Sequence, residues 1–166
     1  MMQLKFENWQ EYHHQIYRIY HGIIAVSLVP FFLLFIELET VEIKESRLEG
    51  WSEWAAIIIL ITVCLWMFVE IWKGNRFSTQ LEHDEVSLKE KLILFRKTEV
   101  TKYIWLEIAS ILSLLGLWLS AHYFFIIIYF AALVQFSFLR PSEDRLVRTM
   151  KLSLTERKEM HETDFK

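Results

Sequence analysis

The sequence predicts an all-α integral membrane protein with four transmembrane helices, near 16–36, 51–72, 100–119 and 122–139, and an amphipathic helix in the C-terminal tail. Three observations predict it. Apolar residues make up 54% of the 166-residue chain and gather in long blocks, with the charges between them. A helix rising 1.5 Å per residue needs about 20 mostly apolar residues to cross a hydrocarbon core roughly 30 Å thick, and the blocks reach that length. The basic residues are also unevenly shared: four crossings leave sixteen of the 18 Lys and Arg on one side, and only Lys44 and Arg47 on the other. The positive-inside rule then puts both termini and the second loop in the cytoplasm.

The first ten residues, MMQLKFENWQ, lack the basic-then-apolar form of a cleaved signal. Asn8 and Glu11 have capping-box spacing, so the first helix is expected to start near Trp9, ahead of the lipid. Pro30 falls inside it, as membrane helices tolerate. The loop that follows is acidic (Glu37, Glu39, Glu42, Glu45, Glu49, Glu53), as suits an outer loop. The second block, WSEWAAIIILITVCLWMFVEIW over 51–72, holds Cys64, the only cysteine, which rules out an intrachain disulfide and a cysteine-based metal site. The third block is uncharged from Ile108 to Leu139. That is roughly 48 Å of helix, too long for one crossing. LSAHY at 119–123 interrupts it, which predicts a helical hairpin. Trp51, Trp54 and Trp118 then lie at the outer interface, and Trp72 and Trp105 near the inner one.

Two segments outside the lipid remain. In the loop over 73–99, Ser87 and Glu90 form another capping box, and SLKEKLILFRK reads as a juxtamembrane helix. Val86, Leu88, Leu92 and Leu94 share one parity, so a β-hairpin turning at His83-Asp84-Glu85 is the alternative. The tail over 140–166 forms a unit separate from the membrane domain over 1–139. Ser142 can cap its helix, and Leu146, Met150 and Leu154 make a narrow apolar stripe. Ser153 and Glu156 offer a second cap where the helix can break and restart. The stripe is expected to lie on headgroups or to dock a partner.

Charge inside a span is expensive, which makes it a default functional candidate. Arg18, His21, Glu70 and Glu107 fall at similar depth, in the cytoplasmic half of the bilayer. His14, Arg18 and His21 share one helix face. Arg18 and His21 facing Glu70 and Glu107 would relay protons, hold an anionic headgroup or bind a small substrate. The plainer alternatives are Arg18 snorkelling to the headgroups with Glu70 reaching water, or an Arg18–Glu107 pair that only fixes packing. A second feature is the row Ala109, Ser113, Gly116 and Ser120, a small-residue seam that lets another backbone approach closely. Its expected partner is the hairpin neighbour, or another protein.

Several classes are disfavoured. A haem in the bundle needs two axial ligands at one depth, but His21 and His122 sit at opposite ends, and His83 and His161 lie outside the bilayer. No cofactor is therefore expected. HExxH, GxSxG, P-loop and GxGxxG patterns do not occur, so no catalytic residue and no metal site are assigned. A net charge of −3 makes no case for nucleic acid. What remains is a small polytopic protein of a bacterial inner membrane. The leading expectation is a non-catalytic accessory or structural subunit of a larger complex, in contact with the lipid bilayer and with a protein partner or further copies of itself. The alternatives are a small transporter or proton-handling channel built on the polar cluster, and a membrane-embedded lipid-active enzyme or cofactor protein.

Overall fold

Helix starts follow the side-chain caps. In the computed structural model, which describes residues 6, 8–40, 54, 58, 59, 61, 62, 65, 69 and 87–162, Asn8 Oδ1 accepts the Glu11 amide at 2.9 Å. Helix α1 then runs from Trp9 to Thr40, continuous through Pro30. The Ser87 side chain accepts the Glu90 amide while Glu90 reaches back to the Ser87 amide, and this box launches α2, Leu88–Ser120. Three more helices follow: α3 (Phe124–Phe138), α4 (Glu143–Met150) and α5 (Leu154–Glu162). There is no strand among the described residues.

Helix α2 corrects two expectations. The β-hairpin alternative fails over 87–99, and the third helix begins at Leu88 rather than near 100. The same leucines explain both. Leu88, Leu92 and Phe95 are buried, at the i, i+4, i+7 spacing of one helix face, while Leu94 is exposed. Between 88 and 115 no Gly or Pro interrupts the helix, so the basic juxtamembrane stretch and the span are one rod. The hairpin's turn and Val86 lie outside the described residues. At the other end Ala121 takes a left-handed conformation (φ 55°), and its amide returns to the Leu117 carbonyl at 2.8 Å. The chain then enters α3, as the interruption at LSAHY predicts.

The tail also differs from expectation. Ser142 caps α4, but Lys151 adopts a left-handed φ of 49°, and the Ser153–Glu156 box starts α5. The stripe therefore stops at Met150. Leu154 is 79% exposed, and Leu152 and Met160 are buried in its place. These residues lie neither on headgroups nor free for a partner. With Phe6, Tyr12, Ile16, Leu92, Phe95 and Leu146 they form a core at the base of the bundle. Burying an apolar side chain of this size stabilises the docked tail by about 1.5–3 kcal/mol. Lys91 to Glu156 (2.6 Å) ties the tail to α2, and His161 to Glu143 (3.0 Å) joins α5 to α4 within it. Burial opposes ionisation of Glu156, but hydrogen bonds from Lys91 and Ser153 outweigh it and hold the carboxyl below its usual range.

Pairings show how the long helices lie. Tyr12 with Leu92, Gln15 with Arg96 and Ser27 with Glu107 climb together, so α1 and α2 are parallel. Tyr20 meets Phe136 and Phe31 meets Tyr129, so α3 runs opposite to them. Helix α2 packs on both. Helices α1 and α2 are long and apolar enough to cross a membrane, with mean hydropathy 2.3 and 1.6 over their most apolar windows. The 15-residue α3 is shorter, and it bends by 79° into α4; counted as one broken span, the pair would make a third. The α1 window is 22% buried and the α2 window 56%, so α2 is the inner rod and α1 offers Val26, Val29, Phe32 and Leu33 outward. Most of the expected second span, 51–72, lies outside the described residues. Trp54, Ile58, Ile59, Ile61, Thr62, Leu65 and Val69 within it are helical, and Ile59 packs against the cluster around Phe31.

Candidate functional site

Three helices each contribute a side chain to a polar group inside the bundle. Ser27 is the one hydroxyl in the apolar run of α1 from Gly22 to Ile36. Glu107 projects from α2 and Tyr129 from α3. Ser27 and Tyr129 are fully buried, and Glu107 is 6% exposed. Ser27 Oγ donates to Glu107 Oε2 at 3.0 Å. Glu107 Oε1 and the Tyr129 hydroxyl have no hydrogen-bond partner among the described residues. Ser27 and Glu107 lie near enough to influence that hydroxyl.

The surroundings explain this arrangement. Towards the base, Tyr20 packs edge-on against Tyr103 (5.3 Å) and Phe136 (6.3 Å) and closes the interior. Beyond the site, Phe31, Leu34, Leu114, Leu117 and Phe125 form an apolar layer. The Tyr129 ring stacks on Phe31 at 4.5 Å and 14°, which fixes where its hydroxyl points. Other hydroxyls nearby are spent on their own helix: Ser110 donates to Leu106 and Ser113 to Ala109, at 3.0 and 2.9 Å. This back-bonding leaves Ser27 as the donor facing the carboxyl. A buried carboxyl oxygen or phenol without a partner costs about 1–3 kcal/mol.

Arg18 and His21 lie elsewhere. Both are exposed. Arg18 Nη2 donates to His14 Nε2 at 2.9 Å, and His21 Nδ1 lies 2.9 Å from the Tyr17 carbonyl, over the Tyr17 ring. Among the described residues no cation forms an ion pair with Glu107, so the Arg18–Glu107 pair is not made. Glu70 lies outside the described residues. The structure brings Glu107 together with Ser27 and Tyr129, two residues the charge-based reading passed over. A signal existed for each: a lone hydroxyl in an apolar run, and a tyrosine well inside a span rather than at its edge.

Compared with known proteins, the chain matches no family model, no curated protein and no solved structure. Its function is therefore argued from its own geometry.

The small-residue row sits on the same helix. Ala109, Ser113, Gly116 and Ser120 are all buried. A Cβ added at Gly116 would run into the Phe125 ring, so α3 occupies the seam at this point. His122 is exposed in the turn, at the opposite end of the bundle from His21. No group of three or more His, Cys, Asp or Glu able to hold a metal occurs among the described residues.

The base holds a second buried acid. Glu99 is fully buried, with Lys102 Nζ 2.7 Å from Oε1. Arg145 Nη2 lies 2.6 Å from Oε2, an ionic contact off the line of a hydrogen bond. Arg145 also donates to the Leu139 carbonyl, as does the Tyr103 hydroxyl (3.0 Å). This network clamps the end of α3 to α2 and α4. Two cations match the charge of Glu99, and so the network reads as structural.

Proposed function

We propose that this chain is a small polytopic inner-membrane protein with four spans and both termini in the cytoplasm, which handles protons or a monovalent cation at Glu107. The topology is supported by α1 and α2 running parallel. The chain between Thr40 and Ser87 must return to the base, and 51–72 is the segment there that is apolar enough to cross. The weight of Lys and Arg at the base puts that end in the cytoplasm.

One observation carries the chemistry: a carboxyl group inside the bundle, bonded to a single serine hydroxyl, with its second oxygen unpartnered beside an unpartnered phenol. A lone negative charge in hydrocarbon costs several kcal/mol. A bound proton or small cation removes that cost, and the Tyr129 hydroxyl offers a second oxygen ligand or a relay partner. The test is reconstitution into vesicles with a pH-sensitive dye inside, under an imposed pH gradient or Na⁺ gradient. Flux above that of empty vesicles, reduced to background in Glu107→Gln, supports the reading. Equal flux with and without the protein rejects it.

A second reading, an accessory or structural subunit of a larger membrane complex, has the exposed apolar face of α1 (Val29, Phe32, Leu33) as a contact surface. Purification in mild detergent separates the two. A stoichiometric partner supports the subunit reading, and a monodisperse protein without partners counts against it.

A further inference from the structure

At the base of the bundle, residues of α1 and α3 line an open groove of about 310 Å³. Its floor is apolar, formed by Ile24, Leu133 and Phe136, and its rim is polar, formed by Tyr17, His21 and Arg140. Arg140 Nη2 donates to the Tyr17 hydroxyl at 2.7 Å, and the guanidinium carbon lies 5.5 Å from the centroid of the Tyr17 ring. The cation is thus held in place by a neutral group, and most of its five N–H donors remain to be used. Three other cations near the base are matched with acids, Arg145 and Lys102 with Glu99 and Lys91 with Glu156, while the buried Arg96 donates to Gln15, away from the groove. Arg140 forms no ion pair with an acid among the described residues.

The depth of the groove narrows its occupant. Arg140 follows Leu139, the C-cap of α3, and the exposed apolar side chains of α1 and α3 begin beyond it, at Val26 and Phe138. A rim of cation, phenol and imidazole above an apolar floor at that boundary matches one ligand class. We propose that this groove binds an anionic phospholipid of the inner leaflet, with its phosphate on Arg140 and its glycerol and upper acyl chain along Ile24, Leu133 and Phe136. Arginine's planar fork suits a phosphate, and the fixed tyrosine beneath it reduces the ordering cost of binding. His21 Nδ1 is engaged with the Tyr17 carbonyl, so the ring serves as a wall of the groove and Arg140 supplies the donors. The volume is small for a ligand site, which fits a headgroup whose acyl tails stay in the bilayer. This inference stands apart from the Glu107 reading, because none of its residues touch that carboxyl.

The experiment is native mass spectrometry of the detergent-solubilised full chain, titrated with phosphatidylglycerol and, separately, with phosphatidylcholine of the same acyl chains. Retention of one phosphatidylglycerol per chain, at least about tenfold tighter than phosphatidylcholine, is expected. Arg140→Gln should weaken phosphatidylglycerol by about tenfold, while Arg140→Lys loses less and Arg148→Gln, on the exposed face of α4, loses nothing. Unchanged secondary structure in each variant separates lost binding from lost fold. Equal binding of the two lipids, undiminished binding to Arg140→Gln, or displacement of the lipid by an equal concentration of inorganic phosphate would overturn the proposal.

Discussion

Glu99 and Glu107 lie about two turns apart on α2, and both are buried. Glu99 faces the base, where Lys102 and Arg145 stand on either side of it. Glu107 faces the bundle interior, where a serine hydroxyl is its hydrogen-bond partner and one carboxyl oxygen has none. The residue type and helix are the same, but the surroundings divide their roles. A buried acid whose charge is matched adds to the fold, and removing one partner of such a pair is costly. A buried acid left unmatched adds little to the fold.

The largest expected effect tests the matched side of this contrast. Glu99→Gln should cost about 2–3 kcal/mol, the low end for a broken buried pair because the Arg145 and Lys102 side chains keep 20% and 14% of their exposure. Thermal unfolding in detergent should show the loss, together with faster trypsin cleavage within α4 and α5. Glu107→Gln should change the same melting curve by less than about 1 kcal/mol, because it removes one hydrogen bond to a charged group along with the charge that made burial costly. Equal destabilisation by the two variants would erase the distinction.

Next comes the wall of the inner site. Gly116→Ala should destabilise by about 1–3 kcal/mol, since the added methyl meets the buried Phe125 ring, and the cost of overpacking would appear in the same melting measurement. A smaller effect concerns the base. The folded Glu156 carboxyl titrates below its usual value of 4.5. Its contribution is therefore complete at neutral pH and is lost as pH falls through that lowered value. Hydrogen exchange in α5 should accelerate at acid pH, and Lys91→Ala, worth about 0.5–1 kcal/mol for a partly exposed pair, should weaken that acceleration, the rest being held by the Ser153 hydrogen bonds. The smallest effect has the opposite sign. Ala121→Gly should stabilise by about 0.5–1 kcal/mol by relieving a left-handed alanine in the turn between α2 and α3, readable as a raised melting temperature.

Much of the fold was legible because caps and apolar runs are local. Asn8–Glu11, Ser87–Glu90, Ser142 and Ser153–Glu156 each mark a helix start found in the structure. The break at 121–123 was visible from small and polar residues in an apolar run. The parity of Leu88 and Leu92 misled, since i and i+4 are neighbours on a helix and also share a strand face. Docking of the tail was only half visible. The stripe at Leu146 and Met150 could be read, but not its target, because Tyr12, Leu92 and Met160 meet only in the folded chain. The charge pattern pointed to Glu107 but also drew in Arg18 and His21, which are exposed and lie nearer the base than Ser27, the α1 residue level with Glu107. Which way a side chain points across three packed helices is not a local property, so Ser27 and Tyr129 stayed hidden.

The most direct test of the division between the two acids is proton or Na⁺ flux through vesicles holding wild type, Glu99→Gln and Glu107→Gln, each normalised to folded protein. The account predicts that Glu107→Gln folds normally and conducts at the rate of empty vesicles, while Glu99→Gln retains its flux per folded molecule. Wild-type flux in Glu107→Gln, or loss confined to Glu99→Gln, would contradict it.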